Sequence, residues 1–121
     1  MVMQYLYGMN SKNLSRQGLP RRAAGNLESL GRNIRAARTL RGLTMQDLAE
    51  RAMTSRETIR RLEQGHPGVS VGVLVHVLWV LELDDQIGAL AALENDSQGQ
   101  ALALAGLPRR VDAGRTDEFD F

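Results

Sequence analysis

Cysteine is absent from the 121 residues, and histidine is scarce, with only His66 and His76. Without cysteine, disulfide bonds and thiolate metal sites are excluded, and two histidines are too few for a convincing metal site. The chain also lacks a GxxxxGK[ST] phosphate-binding loop. We therefore expect no metal, no cofactor and no catalytic residue, and we do not expect an enzyme.

Long hydrophobic runs are also missing. The longest apolar stretch, Val73–Leu81, is interrupted by His76 and is far shorter than the ~20 residues that a membrane-spanning helix needs. The first residues lack the basic and apolar regions of a secretion signal. The expected location is the cytoplasm, at the nucleoid, with no membrane partner.

Positive and negative charges are segregated along the chain, although the net charge is only +1. The first 66 residues carry twelve basic and five acidic side chains, a net charge of +7, and the rest carry three basic and nine acidic ones, a net charge of −6. Eleven of the twelve bases are arginines, which bind phosphate and make forked hydrogen bonds to guanine. The basic half is therefore interpreted as a surface that recognises phosphate. On charge alone, the alternative interpretation is an ordinary solvated polar surface.

Helical spacing and capping residues predict an all-α fold with five helices. The predicted N-caps are, in order, Asn26, Thr44, Ser55, Ser70, and either Asp84 or Asp85. The residues predicted to face the core of the first three helices are Leu27, Leu30, Ile34, Ala37, Leu48, Ala49, Ala52, Ile59 and Leu62.

The fourth segment, Val71–Glu82, is ambiguous. Its β-branched residues suggest a buried strand, whereas its length and the stripe Val71, Leu74, Leu78 and Leu81 favour a helix. It is apolar almost all round, so one core face cannot cover it. We therefore expect a homodimer whose interface includes at least one of Val75, Trp79 and Ile87.

Three regions are predicted from these patterns. Residues 1–25 are expected to form a flexible basic arm, residues 26–94 the helical domain, and residues 95–121 a largely disordered acidic tail. In that tail Phe119 and Phe121 lie at alternate positions, so an extended peptide would place both rings in one groove of a basic partner.

Two short helices joined by a tight turn are typical of a helix-turn-helix. The run "LGRNIRAARTLRGLTMQDLAERAMTSRETIRRLEQG" resembles the helix-turn-helix domain of the phage Cro/CI repressor superfamily, the Xre-type regulators. The resemblance covers about Leu30 to Leu83. It implies a compact, lambda-repressor-like fold and a dimeric transcriptional repressor bound to double-stranded operator DNA.

The resemblance also implies roles for individual residues. It assigns a structural ion pair to Arg38 and Glu63. The chain differs from the family at two positions: Met45 stands where the family usually has a Gln that contacts a phosphate, and Met53 stands where the turn often has Gly. The residues expected at the DNA are Ser55, Arg56, Glu57 and Arg61 for base readout, Arg60 near a phosphate, and Thr44 and Gln46 at the start of the second helix.

A narrower resemblance concerns the runs "EQGHPGVSVGVLVHVLWVLELDDQIGALA" and "LPRRV", which are similar to HipB-type antitoxins. It implies a protein that represses its own operon and binds a HipA-like kinase toxin. A stand-alone Xre-type regulator is the alternative. An adaptor that uses the fold only for protein contacts is a third, which Arg56, Arg60 and Arg61 on the third helix disfavour.

Overall fold

The computed structural model describes residues 18–106, which form α-helices and one 3₁₀ turn without any strand. The predicted all-α class is therefore confirmed. The chain divides into two compact units between Asp84 and Asp85. The elements are α1 (Arg21–Leu40), α2 (Met45–Arg51), α3 (Arg56–Glu63) and α4 (Val71–Val80) in the first unit, and α5 (Asp85–Gly88), the 3₁₀ turn (Leu93–Asn95) and α6 (Ser97–Leu104) in the second.

The first helix begins earlier than the sequence analysis predicted. It starts at Arg21, directly after Pro20, and the amide of Ala24 already donates to the Pro20 carbonyl at 2.9 Å. The expected N-cap at Asn26 was wrong, because arginine and alanine are strong helix formers and extend the helix through it. Residues 21–25 are thus helical, and residues 1–17 of the predicted arm lie outside the described residues.

Side-chain caps begin the next three helices at the predicted residues. The Thr44 hydroxyl accepts from the Asp47 amide and the Asp47 carboxylate accepts from the Thr44 amide, both at 2.9 Å, which is a capping box. These bonds hold the pKa of Asp47 below its usual value. Ser55 and Ser70 each accept from the amide three residues further on, at 3.1 Å. Local chemistry therefore sets where α2, α3 and α4 start.

The core of the first unit lies where α2 packs on α3, α1 on α3, and α2 on α4. The predicted inward residues of α2 and α3 are buried, and α4 is a helix, which resolves the strand alternative. Its predicted stripe was wrong at Val71, which is 71% exposed, and Val77 is buried instead. Val71 occupies the first position of the helix, whereas Val77 shares a face with Leu78 and Leu81. The buried apolar residues are Ile34, Leu48, Ala49, Ala52, Ile59, Leu62, Val77, Leu78 and Leu81.

A buried ion pair joins α1 to the end of α3. Arg38 Nε lies 2.6 Å from Glu63 Oε2, and Arg38 Nη2 donates to Glu63 Oε1 at 3.0 Å. A third donor, Nη1, reaches the carbonyl of Leu43 at 2.9 Å. The hydrogen bonds to Glu63 raise the pKa of Arg38 although burial opposes this. The pair that the family resemblance implies is therefore present, and its hydrogen bonds are bidentate.

Two glycines let the same helices approach closely. A Cβ at Gly31 would overlap the backbone carbonyl of Glu63. Gly65 has φ +79°, and a Cβ there would lie 2.7 Å from Glu28 Cα. The α1 backbone therefore touches the end of α3 beside the ion pair, a spacing that any larger residue would prevent.

The second unit corrects part of the predicted disordered tail. Asp96 accepts from the Gly99 amide at 2.9 Å and caps α6, which runs from Ser97 to Leu104. The prediction overlooked this cap and the helix-forming Gln, Ala and Leu residues that follow it. The predicted short helix after Asp84 or Asp85 is present as α5. Residues 107–121, including Phe119 and Phe121, lie outside the described residues.

The turn between α2 and α3 stores backbone strain at Met53. This residue has φ +56°, a left-handed conformation that is costly for any residue with a Cβ, and its side chain is 82% exposed. Met53 in place of the family's glycine therefore makes the turn less stable, but the turn still forms.

Replacing Met53 by Gly should raise the free energy of unfolding by up to about 1 kcal/mol, because it removes the left-handed strain at an exposed position. Met53→Ala is the matched control, since it removes the same side chain but keeps the Cβ. Urea unfolding of both variants measures the difference. Equal stabilities for the two variants would show that Met53 carries no strain.

Candidate nucleic-acid interface

The α2–turn–α3 segment presents one face of α3 outward. The Ala52 amide donates to Leu48 O at 2.8 Å and the Thr54 amide to Ala49 O at 2.9 Å, which fixes the turn. Ile59 and Leu62 of α3 are buried, whereas the opposite face is polar and exposed. An exposed amphipathic helix of this width fits the major groove of B-DNA.

Arg56 stands at the first position of α3 and is exposed. Its side chain makes no hydrogen bond or ion pair with any residue in the described part of the chain, and its charge acts electrostatically on the neighbouring Glu57. All five guanidinium donors are therefore available. The N-terminus of the helix adds a positive partial charge at the same place, so this corner of α3 suits an anion or a guanine edge.

Glu57 and Arg60 bind each other on the exposed face of α3. Arg60 Nε donates to Glu57 Oε1 at 2.9 Å and Nη2 to Oε2, and Nη1 donates to Gln64 Oε1 at 3.1 Å. These bonds lower the pKa of Glu57 and raise that of Arg60. Such exposed pairs contribute little to stability, so either side chain is able to change partners at a nucleic-acid surface.

Arg61 is half-buried and points to the loop that follows α3. Its Nη2 lies 3.2 Å from Nδ1 of His66, and the same Nδ1 accepts from the Gly68 amide at 2.9 Å. The residue expected to read a base is therefore held by an imidazole, which the sequence analysis did not foresee.

The remaining residues expected at the DNA have structural partners of their own. Ser55 caps α3 and its hydroxyl lies 2.8 Å from that of Thr58. Thr44 is engaged in the capping box, and the Gln46 amide donates to Glu50 Oε2 at 3.0 Å. Their contacts with DNA stay predictions.

The residues expected in a dimer interface lie in both units. Val75 and Trp79 are one turn apart on α4 and are 37% and 61% exposed. The ring of His76 packs at a tilt against Trp79, with centroids 6.0 Å apart. Ile87 belongs to α5 and is half-buried. Trp79 also lines a groove with Arg51, Val80, Glu82 and Asp84.

Neither catalysis nor metal binding gains support from the described residues. Residues 68–72 read GVSVG, the letters of a hydrolase nucleophile motif, but that motif needs a strand before the serine. Here Ser70 lies between two helices and caps α4. Within residues 18–106 no three acidic or histidine side chains could share a metal ion, and no helix is long and apolar enough to cross a membrane.

Sequence reasoning missed three residues of this site. His66 and Gly68 belong to the run "HPGVS", whose role in folding the loop back on Arg61 depends on tertiary contacts. Gly31 did leave a signal, because glycine inside a helix costs stability and usually has a packing reason. That reason is the carbonyl of Glu63.

Comparison with known families identifies the α2–turn–α3 segment as a helix-turn-helix. Residues 34–77, which are 44 of the 121, match the family model described as helix-turn-helix. The match includes all of α2 and α3. No curated protein matches the sequence. With an all-helical fold in the described residues and a solvent-facing α3, this match supports a DNA-binding transcriptional regulator.

Proposed function

We propose that the protein is a sequence-specific transcriptional repressor that binds double-stranded operator DNA as a homodimer in the cytoplasm, at the nucleoid. The observation that carries the proposal is Arg56, an exposed arginine at the N-terminus of α3 whose side chain has no hydrogen-bond partner among the described residues. N-terminal residues of a recognition helix reach base edges when the helix lies in the major groove.

The described residues of the second unit carry only negative charge, whereas α3 of the first unit carries three arginines. Every charged residue between 85 and 106 is acidic, namely Asp85, Glu94 and Asp96. Negative charge disfavours contact with phosphates. We therefore place the DNA on the first unit, where α3 carries Arg56, Arg60 and Arg61.

The proposed dimer explains the exposed apolar face of α4. Val75 and Trp79 expose adjacent apolar surface, and a second copy of the same helix would cover it in an isologous contact. A two-fold dimer reads a palindrome whose half-site centres are about 34 Å apart, one helical turn of DNA. Ile87 of α5 is a separate candidate for a contact between two copies of the chain.

The finer proposal is that this repressor is the antitoxin of a HipBA-type system and binds a HipA-like kinase toxin. Its support is the sequence resemblance that begins at the end of α3 and continues through α4 into "LPRRV", which lies outside the described residues. A calorimetric titration against a kinase encoded in the same operon separates the two readings. Absence of binding leaves a stand-alone Xre-type regulator.

Arg56→Ala should weaken binding to the cognate site by about 1–3 kcal/mol, because a forked contact with a guanine is lost. Since the operator is undefined, the cognate duplex is first selected from a random-sequence library with the full chain. Fluorescence anisotropy then measures affinity for the selected duplex and for a scrambled one.

Arg32→Ala is the matched control. Arg32 lies on α1, donates to Ser29 at 3.0 Å and lines a groove with Glu28, Glu63 and Gln64. Loss of the Arg32 side chain should change the affinities for the selected and the scrambled duplex by the same factor. If Arg56→Ala changes the affinities for both duplexes by the same factor, or changes neither affinity, Arg56 does not read a base.

Sedimentation without DNA at micromolar concentration should show a dimer, and Trp79→Glu should shift it to a monomer, because a carboxylate would be buried in the apolar interface. Leu104→Glu is the control, since Leu104 is an exposed apolar residue outside the proposed interface. A monomeric wild-type chain would contradict the proposed dimer.

A further inference from the structure

The loop after α3 folds back onto the helix through one histidine. The His66 amide donates to the Arg61 carbonyl at 2.9 Å, and the ring turns its Nδ1 toward both Arg61 and Gly68. Backbone and side chain of His66 therefore both bind the last turn of α3, close to the arginine that is expected at the DNA.

The hydrogen-bond donors fix the protonation state of this ring. A backbone amide and a guanidinium donate and never accept. Nδ1 faces one of each, at 2.9 and 3.2 Å, so it must carry a lone pair and the ring proton must be on Nε2. The arrangement requires a neutral imidazole.

We propose that His66 is a positioning residue for DNA readout, whose neutral ring holds the Arg61 guanidinium in the orientation that reads a base. The proposal rests on the DNA-binding function above. Among the described residues Arg61 gives one of its five donors to His66, which leaves the other four for DNA. Because the side chain is already ordered, less conformational entropy is lost on binding.

Two glycines show that the loop is built for this contact. A Cβ at Gly68 would lie 2.9 Å from Cε1 of His66 and 3.1 Å from Nη2 of Arg61, so the loop backbone runs close to both side chains. Gly65, with φ +79°, seats the start of the loop against Glu28 of α1. The loop is thus fixed at one end to α1 and at the other to Arg61.

Protonation of His66 would turn its attraction for the Arg61 guanidinium into a repulsion. Among the described residues, the charged side chains placed next to the loop include Arg61 on α3 and Glu28 on α1, whose backbone lies against Gly65. A proton on Nδ1 would face the Gly68 amide and the Arg61 cation, so the acceptor would be lost and like charges would meet. Specific binding should then weaken once the ring is protonated, while attraction to phosphates in general increases.

The test compares the full chain with His66→Asn and His66→Phe on the selected and scrambled duplexes. The measured quantity is the ratio of the two affinities between about pH 8 and about pH 5.5, the range in which histidine titrates. Asparagine keeps an acceptor near the Nδ1 position but does not titrate, whereas phenylalanine has no acceptor.

At about pH 8 the His66→Phe variant should lose on the order of tenfold in the ratio, as expected for one hydrogen bond to a charged group. His66→Asn should keep most of this ratio and lose its decline at acid pH. In an Arg61→Ala background, His66→Phe should have no further effect, because the histidine acts through that arginine.

The proposal is overturned if His66→Phe weakens both duplexes equally, if it still acts without Arg61, or if His66→Asn keeps the decline at acid pH. A higher ratio for His66→Phe would also overturn it, because His66 would then be withholding Arg61 from DNA. If the library yields no selected duplex, the DNA-reading function itself fails, which is a result distinct from these.

Discussion

The buried ion pair between Arg38 and Glu63 determines where α3 lies. Its members are 25 residues apart in sequence, so the pair joins α1 to the end of α3, and a third donor from Arg38 reaches the carbonyl of Leu43 just before α2. One guanidinium thus connects three segments. Such a pair costs desolvation energy, and its hydrogen bonds must all be present for it to be tolerated.

The rest of the proposed DNA surface follows from this constraint. Gly31 and Gly65 bring the backbones of α1 and α3 together beside the pair, so α3 is held at its C-terminal end. The N-terminal turn, with Ser55 as cap and Arg56 exposed, projects away from that anchor. Between these two ends, the Glu57–Arg60 pair is exposed and is therefore able to exchange partners.

Local rules predicted much of this structure. Thr44, Ser55 and Ser70 were identified as caps because a hydroxyl three residues before a free amide is a short-range signal. Ile59 and Leu62 follow from helical spacing. The ion pair came from the family resemblance, since no spacing rule connects residues 25 apart.

The errors have equally specific causes. Asn26 is a good cap, but the helix formers before it extend α1 to Arg21. A polar composition concealed α6, whose start depends on Asp96 alone. The role of His66 depends on a loop folding back over Arg61, which is a tertiary contact that neither periodicity nor composition encodes.

Unfolding of Glu63→Ala tests most directly whether the buried pair fixes α3. The variant should lose about 3–5 kcal/mol of the free energy of unfolding because Arg38 is left buried without its partner. Glu57→Ala, which breaks the exposed pair on the same helix, should change little. The double variant Arg38→Met/Glu63→Leu should recover most of the loss, since apolar residues of similar volume can replace a buried pair. A Glu63→Ala variant as stable as Glu57→Ala would contradict the account.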